Sequence, residues 1–334
     1  MAGMNEVPKE ILRAAYKRNS LHLLKIPFAF GVWFLLGRLL LATQDSPYAL
    51  AIGCACSVLI AYLIRGLGAI AHDAVHGNLS RNKALSYWIS LLCWSPTGMS
   101  VTIYSNYHLH HHRITNTYPD VDNFVVTDYT RNPVLAKLLL LAIYTFAYPI
   151  YFMFQMLRYT KRLSTWHKLR MNLELLGIFG VVGLGYAFLP LQVFFFLFGM
   201  PFILGAMLAS MTSMIEHFGM PATDDDAYSS RTYGTKAAFT NFLWNNVTYH
   251  NEHHKYPGIP FYNLARFHHT AFPHYEDRVQ KECYGGIWSL AFRLYGDILR
   301  LDLEALSNKY ANLDKRAERD RMMLLPGISA ETTS

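Results

Sequence analysis

Apolar residues in this chain come in long blocks separated by polar, basic connectors. The uncharged runs at 48–64 and 191–214 each approach the roughly 20 residues a helix needs to cross a bilayer. The runs at 25–43, which carries Arg38, and at 175–190 complete two pairs. This pattern predicts four spanning helices in two hairpins. Two further apolar stretches, 84–104 and 133–157, are interrupted by Pro96 and Gly98 in the first and by Pro149 in the second. They are read as interfacial or re-entrant helices, because a single crossing by either would divide the polar regions described below between two compartments.

The hairpin turns at 44–47 and 189–192 contain no lysine or arginine, whereas the N-terminal arm carries Lys9, Arg13, Lys17 and Arg18 and the middle segment carries many more basic residues. By the positive-inside rule both termini and the middle segment are expected in the cytoplasm. The chain is then one unit. It comprises a cytosolic arm (1–24), a first hairpin (25–70), a cytosolic and interfacial segment (71–170), a second hairpin (171–214) and a cytosolic cap with its tail (215–334). No cleavable leader is expected, because a polar arm precedes the first apolar run.

Composition agrees: 52% of the 334 residues are hydrophobic, 15% aromatic and 16% charged. The net charge of +7 is explained by the basic connectors and gives no reason to expect nucleic-acid binding. Cys54, Cys56, Cys93 and Cys283 form no CxxC pair, so neither a disulfide framework nor a thiolate metal site is suggested. The tryptophans, among them Trp33, Trp88 and Trp244, lie near helix ends or interfaces, as in an aromatic belt. Residues 285–310 read as an amphipathic helix packing on the cap or on the membrane surface, with Ile287, Leu290, Ala291, Leu294, Ile298, Leu301 and Ala305 near helical spacing. Residues 315–321 read as a solvated charged run and 329–334 as disordered.

The chemistry is carried by histidine. His72 and His76 stand in HDAVH, His108, His111 and His112 in HLHHH, and His250, His253 and His254 in HNEHH. A helix turns about 100° per residue, so positions i, i+3 and i+4 share one face. Three helices can therefore each turn an imidazole face to a common point, with His110 and Glu252 off that face. Neutral imidazole suits iron, zinc, copper and nickel, and eight ligands are too many for one ion and about right for two. All three clusters follow predicted spans on one side of the membrane, giving a membrane scaffold with a metal-holding cap.

HDAVHGN, NYHLHHHRITN and YHNEHHKYPGIPFYNL resemble, in order and spacing, the histidine boxes of the membrane fatty acid desaturase and hydroxylase superfamily, and of its acyl-lipid desaturase-like branch in particular. The resemblance covers residues 72–269. It implies an all-α integral membrane fold and a non-haem di-iron centre with ligands at His72, His76, His108, His111, His112, His250, His253 and His254. His217, in EHFG just after the fourth run, is a ninth candidate, since several branches have an extra ligand before the last box. Asp73, Asp120, Asp122, Glu216, Glu252 and His110 are candidates to hold ligating imidazoles through their second nitrogen or to line the site. Asn78, Asn106, Asn246 and Asn251 could do likewise through their amide oxygens. His268, His269 and His274 are candidates for orienting ligands or for meeting a redox partner, while His22 and His167 read as incidental.

The resemblance implies oxidation of an unactivated C–H bond by O2, with two iron ions as the cofactor. No haem module, Rossmann fingerprint or cluster of cysteines is evident, so a separate donor is expected, a ferredoxin or a cytochrome b5-type protein docking on the basic face. Desaturation of an acyl chain is the leading reading. Hydroxylation or ketolation of a lipid, alkane or carotenoid is the alternative, and desaturation of a small amino-acid-derived molecule, as in rhizobitoxine-type pathways, is a narrower one. A histidine-rich metal transporter fits less well, because the apolar runs hold few ionisable groups. A zinc hydrolase fits least, because HNEHH lacks the HExxH spacing. A bacterial cytoplasmic membrane is weakly preferred to endoplasmic reticulum.

Overall fold

A computed structural model of the chain describes residues 7–116, 120, 124–220 and 229–301. The described residues are almost entirely helical, with two isolated bridges, Thr232 to Tyr249 and Thr232 to Cys283, as their extended pairings. In chain order the helices are α1 (Lys9–Ala15), α2 (Lys25–Thr43), α3 (Ala49–Val75), α4 (Lys83–Trp94), α5 (Val101–Ile114), α6 (Pro133–Arg162), α7 (Thr165–Phe188) and α8 (Leu191–His217). The short helices α9 (Ala238–Leu243), α10 (His250–Lys255), α11 (Phe261–Ala271) and α12 (Asp277–Lys281) follow, and then α13 (Trp288–Leu299).

Five helices are long and apolar enough to cross a membrane: α2 with the turn before it, α3, α6, α7 and α8. Four are the expected hairpin arms, and α7 starts earlier than its apolar run suggested, at Thr165, where Ser164 caps it by accepting from the His167 N–H. The fifth, α6, is longer than the sequence pattern indicated. It packs on neighbouring segments: Tyr144 on Phe218, Tyr151 on Phe124, and the Tyr159 hydroxyl donates to the Asn106 carbonyl. Glu174 of α7 ties that helix to the N-terminus of α5. The helix α4 has 12 residues and spans about 18 Å, too short for a hydrocarbon core of about 30 Å. It lies against α3, where its Ser90 hydroxyl donates to the Ala71 carbonyl.

Both α6 and α8 loosen into a π-type turn just before a proline: Ile143–Ala147 before Pro149 and Phe195–Gly199 before Pro201. Proline lacks the N–H that would close the preceding turn. In α8 neighbouring helices supply donors instead: the Trp33 indole N–H bonds the Leu197 carbonyl at 3.2 Å and the Ser57 hydroxyl bonds the Phe196 carbonyl at 2.8 Å. Such replacement is what permits an irregular turn at membrane depth.

The cap is docked onto α3 through a close backbone approach at Gly66. A Cβ built there would lie 1.9 Å from the Leu243 carbonyl oxygen, and the Asn245 amide donates to the Gly66 carbonyl at 2.8 Å. Asn245 and Asn246 then turn through positive φ (54° and 58°) into the third histidine box. The N-terminal arm joins the same face, where the Asn263 amide donates to the Ala15 and Lys17 carbonyls. The expected C-terminal amphipathic helix is present as α13, which buries Leu290, Ala291, Leu294 and Ile298 against the core. Ala305 and the segments 315–321 and 329–334 lie outside the described residues.

Candidate metal centre

Four elements converge at the cap end of the long helices. His72 lies in the last turn of α3 and His76 at its C-cap, His108, His111 and His112 on one face of α5, His217 at the end of α8, and His250, His253 and His254 on α10. The imidazoles separate into two groups. In the first, one ring nitrogen from each of His72, His76, His108, His112 and His253 lies within 4.8 Å of the others. The His108 Nε2 is 3.0 Å from that of His76 and 2.9 Å from that of His112, and His253 Nε2 is 3.2 Å from His112 Nε2. The second group holds His111, His217 and His254, with His250 Nε2 3.0 Å from the Nε2 of both His217 and His254. The α5 and α10 boxes are thus each divided: His108, His112 and His253 face one group, and His111, His250 and His254 the other. Their i, i+3, i+4 faces straddle two centres instead of aiming at one point. The groups touch where His112 stacks on His254, with ring centroids 4.5 Å apart.

This donor set fits metal ions. Burial, followed by the charge of neighbouring imidazoles, holds His108, His112, His250, His253 and His254 well below the usual imidazole pKa. The rings are therefore neutral at neutral pH, the form that ligates. The His217 Nδ1–H donates to the Ser229 carbonyl at 3.1 Å, which leaves a lone pair on its Nε2. The His111 Nδ1 likewise faces Asp120, at 2.9 and 3.1 Å from its two oxygens. Lone pairs converging at about 3 Å repel one another unless a cation lies among them, and a second nitrogen held by a carboxylate or carbonyl is the usual support of a metal-bound histidine.

The candidates for support fall in different places. Asp120 touches His111 and also accepts from the Asn116 N–H. Glu216 lies beside the second group, its Oε2 3.8 Å from His250 Nε2. Asp73 and Glu252 point elsewhere, Asp73 from a face of α3 adjacent to the imidazoles and Glu252 from the face of α10 opposite them. Asp73 accepts from the Asn78 amide at 2.5 Å and from the Phe261 N–H at 2.9 Å, fastening α3 to α11. Glu252 accepts from His268 Nδ1 at 2.5 Å, from the Tyr275 hydroxyl at 3.0 Å and from the Thr232 hydroxyl, which fastens α10 to the surrounding cap. His110 turns away from both groups, its ring 6.2 Å from Tyr159. Asp122 lies outside the described residues. Asn78 holds Asp73, and the Asn106 and Asn246 amides donate to the Thr102 and Phe261 carbonyls. His268 meets Glu252, and Cys283 stands close to that pair. Burial raises the Cys283 thiol pKa, so it remains a thiol among groups already hydrogen-bonded to one another.

One residue that the sequence reading passed over is Glu174. This buried carboxylate of α7 accepts from the Thr102 N–H at 3.0 Å, from the Ser100 and Thr102 hydroxyls at 2.5 Å each, and from the Tyr87 hydroxyl at 2.8 Å. It therefore holds the first turn of the helix that carries His108, His111 and His112. A lone acid bordering an apolar run was the available signal.

Among α2, α4, α7 and α8 lies a cavity of about 910 Å³, lined mostly by apolar residues such as Trp33, Leu92, Ile178 and Phe198, with Arg38 and Glu174 also in its wall. Its volume is within the range of ligand sites, roughly 300–1,000 Å³. Its wall at Leu91, Leu92, Ser95 and Pro96 flanks Trp94, which packs on Tyr104 at 4.1 Å, and Tyr104 stacks on His108 at 5.2 Å. A short stack of rings thus separates the apolar cavity from the first imidazole group.

Residues 47–283 match the sequence model of a family described as fatty acid desaturase. No curated protein matches the chain.

Proposed function

The chain belongs to the fatty acid desaturase family, an oxidoreductase family, and on that premise we propose that it removes two hydrogens from an acyl chain in an O2-dependent reaction. The observation that carries this reading is the convergence of nine imidazoles in two groups beside an apolar cavity. His72, His76, His108, His112 and His253 would hold one iron, and His111, His217, His250 and His254 the other. Iron bound there supplies the redox chemistry that attack of O2 on an unactivated C–H bond requires.

The protein's own residues do the rest. The apolar walls of the cavity bind and straighten a chain and exclude water, and its wall beside Trp94 sets the bound chain against the ring stack that ends at His108. Asp120 and the Ser229 carbonyl keep His111 and His217 in the tautomer that presents Nε2. Glu174 fixes α5 relative to α7, which also lines the cavity, so the imidazoles of α5 are indexed to the bound chain. The two electrons come from a separate donor, a ferredoxin or a cytochrome b5-type protein, drawn to the basic cap. The basic connectors support a cytoplasmic cap with both termini on that side.

The test is mass spectrometry of lipids and small metabolites from cells expressing the protein beside a His111→Ala control, with a compatible donor supplied. A product lighter by two hydrogens supports the reading. A product heavier by one oxygen replaces it with hydroxylation.

A further inference from the structure

The two imidazole groups are unequal. The first offers five ring nitrogens, the second four, and beside the second stands a carboxylate. Given the two-metal reading above, we propose that Glu216 is the fifth protein ligand of the second metal, bound through Oε2.

Glu216, His217 and His250 each place a donor atom within 4.8 Å of the others. The Glu216 Oε2 to His250 Nε2 separation of 3.8 Å is too long for a hydrogen bond. It suits two ligands of one ion, since bonds of about 2.1 Å place neighbouring ligand atoms about 3.0 Å apart and opposite ones about 4.2 Å apart. The carboxylate is also held in a single orientation. Its Oε1 accepts from the Tyr233 hydroxyl at 2.7 Å and faces Arg65 Nη2 at 3.4 Å, and Tyr233 is fully buried. These partners fix the outer oxygen and turn Oε2 toward His250, as partners beyond a ligating carboxylate do. An ion pair with Arg65 alone would not require the acid to sit against two ligating histidines.

The consequence is a site with two chemically distinct halves. Neutral imidazoles alone surround the first metal, whereas a hard anionic oxygen at the second offsets part of its charge and favours its oxidised form.

The experiment loads the metal-free protein with 57Fe(II) under anaerobic conditions and reads bound iron per chain together with the Mössbauer spectrum. The wild type should bind two irons that give two distinct doublets of equal area. Glu216→Gln should bind the second iron at least tenfold more weakly and lose its doublet. Tyr233→Phe, which keeps the carboxylate, should retain two irons. Glu216→Asp, which withdraws the oxygen, should shift the second doublet only, and it serves as the test if the glutamine variant does not fold. Two irons bound to Glu216→Gln with wild-type affinity and unchanged doublets would reduce Glu216 to a partner of Arg65, as would an unshifted spectrum for Glu216→Asp. A wild type that binds no iron would overturn the two-metal reading itself.

Discussion

His217 and His250 place their Nε2 atoms 3.0 Å apart across 33 positions of sequence, while the His217 Nδ1–H is spent on the Ser229 carbonyl. The end of α8 is thereby joined to α10, and His217 becomes part of the second imidazole group instead of a histidine resting at the membrane surface.

Removing His217 should therefore empty one centre and spare the other. For His217→Ala we expect about half the metal content of the wild type, loss of product formation, and normal insertion into membranes. Metal analysis of the purified variant beside His253→Ala, which touches the first group, checks this. Retention of the wild-type metal content by His217→Ala would place that residue outside the site.

Asp120 should act through His111. In Asp120→Asn the amide can still meet Nδ1, but the anionic acceptor that makes the imidazole a stronger donor to metal is gone. The expected effect is a roughly 10- to 100-fold loss of metal affinity. Competition with a chelator of known affinity measures it.

Acid should open the site. The pKa of His108, His112, His250, His253 and His254 lies below its unfolded value of about 6.5, so between the two values the unfolded chain binds more protons than the folded one. Stability from these groups is complete above pH 6.5 and falls as the pH drops below it. Thermal unfolding of the metal-free protein from pH 7.5 to 5 should show a falling midpoint, and bound metal should be released over the same range. A midpoint independent of pH would contradict neutral, buried imidazoles.

Gly66 tests the docking of the cap. With the Leu243 carbonyl 1.9 Å from any Cβ, Gly66→Ala forces α3 and α9 apart and should cost about 1–3 kcal/mol. Reduced metal content should accompany the loss, because the displaced segment leads into α10. Gly180→Ala, which meets nothing within 4 Å, is the control and should be tolerated.

Gly177 tests the cavity. It lines the apolar space and its Cβ direction is open, so Gly177→Leu should fill part of the cavity without disturbing packing. Turnover of long acyl chains should fall while metal content stays unchanged, as seen by product analysis across a series of chain lengths.

The helical class, the long apolar helices and the histidines that converge are legible in the chain itself. Apolar runs of spanning length and histidines at i, i+3 and i+4 are local properties that a chain cannot hide. How those histidines divide into two groups follows from packing, because the division depends on where α5 and α10 lie between two points in space. The same holds for the acids. Asp73 lies inside a histidine box and Asp120 shortly after one, yet the first fastens α3 to α11 and the second meets His111. Spacing along the chain says how near a carboxylate is, but the face on which it leaves its helix and the helix opposite it determine what it holds.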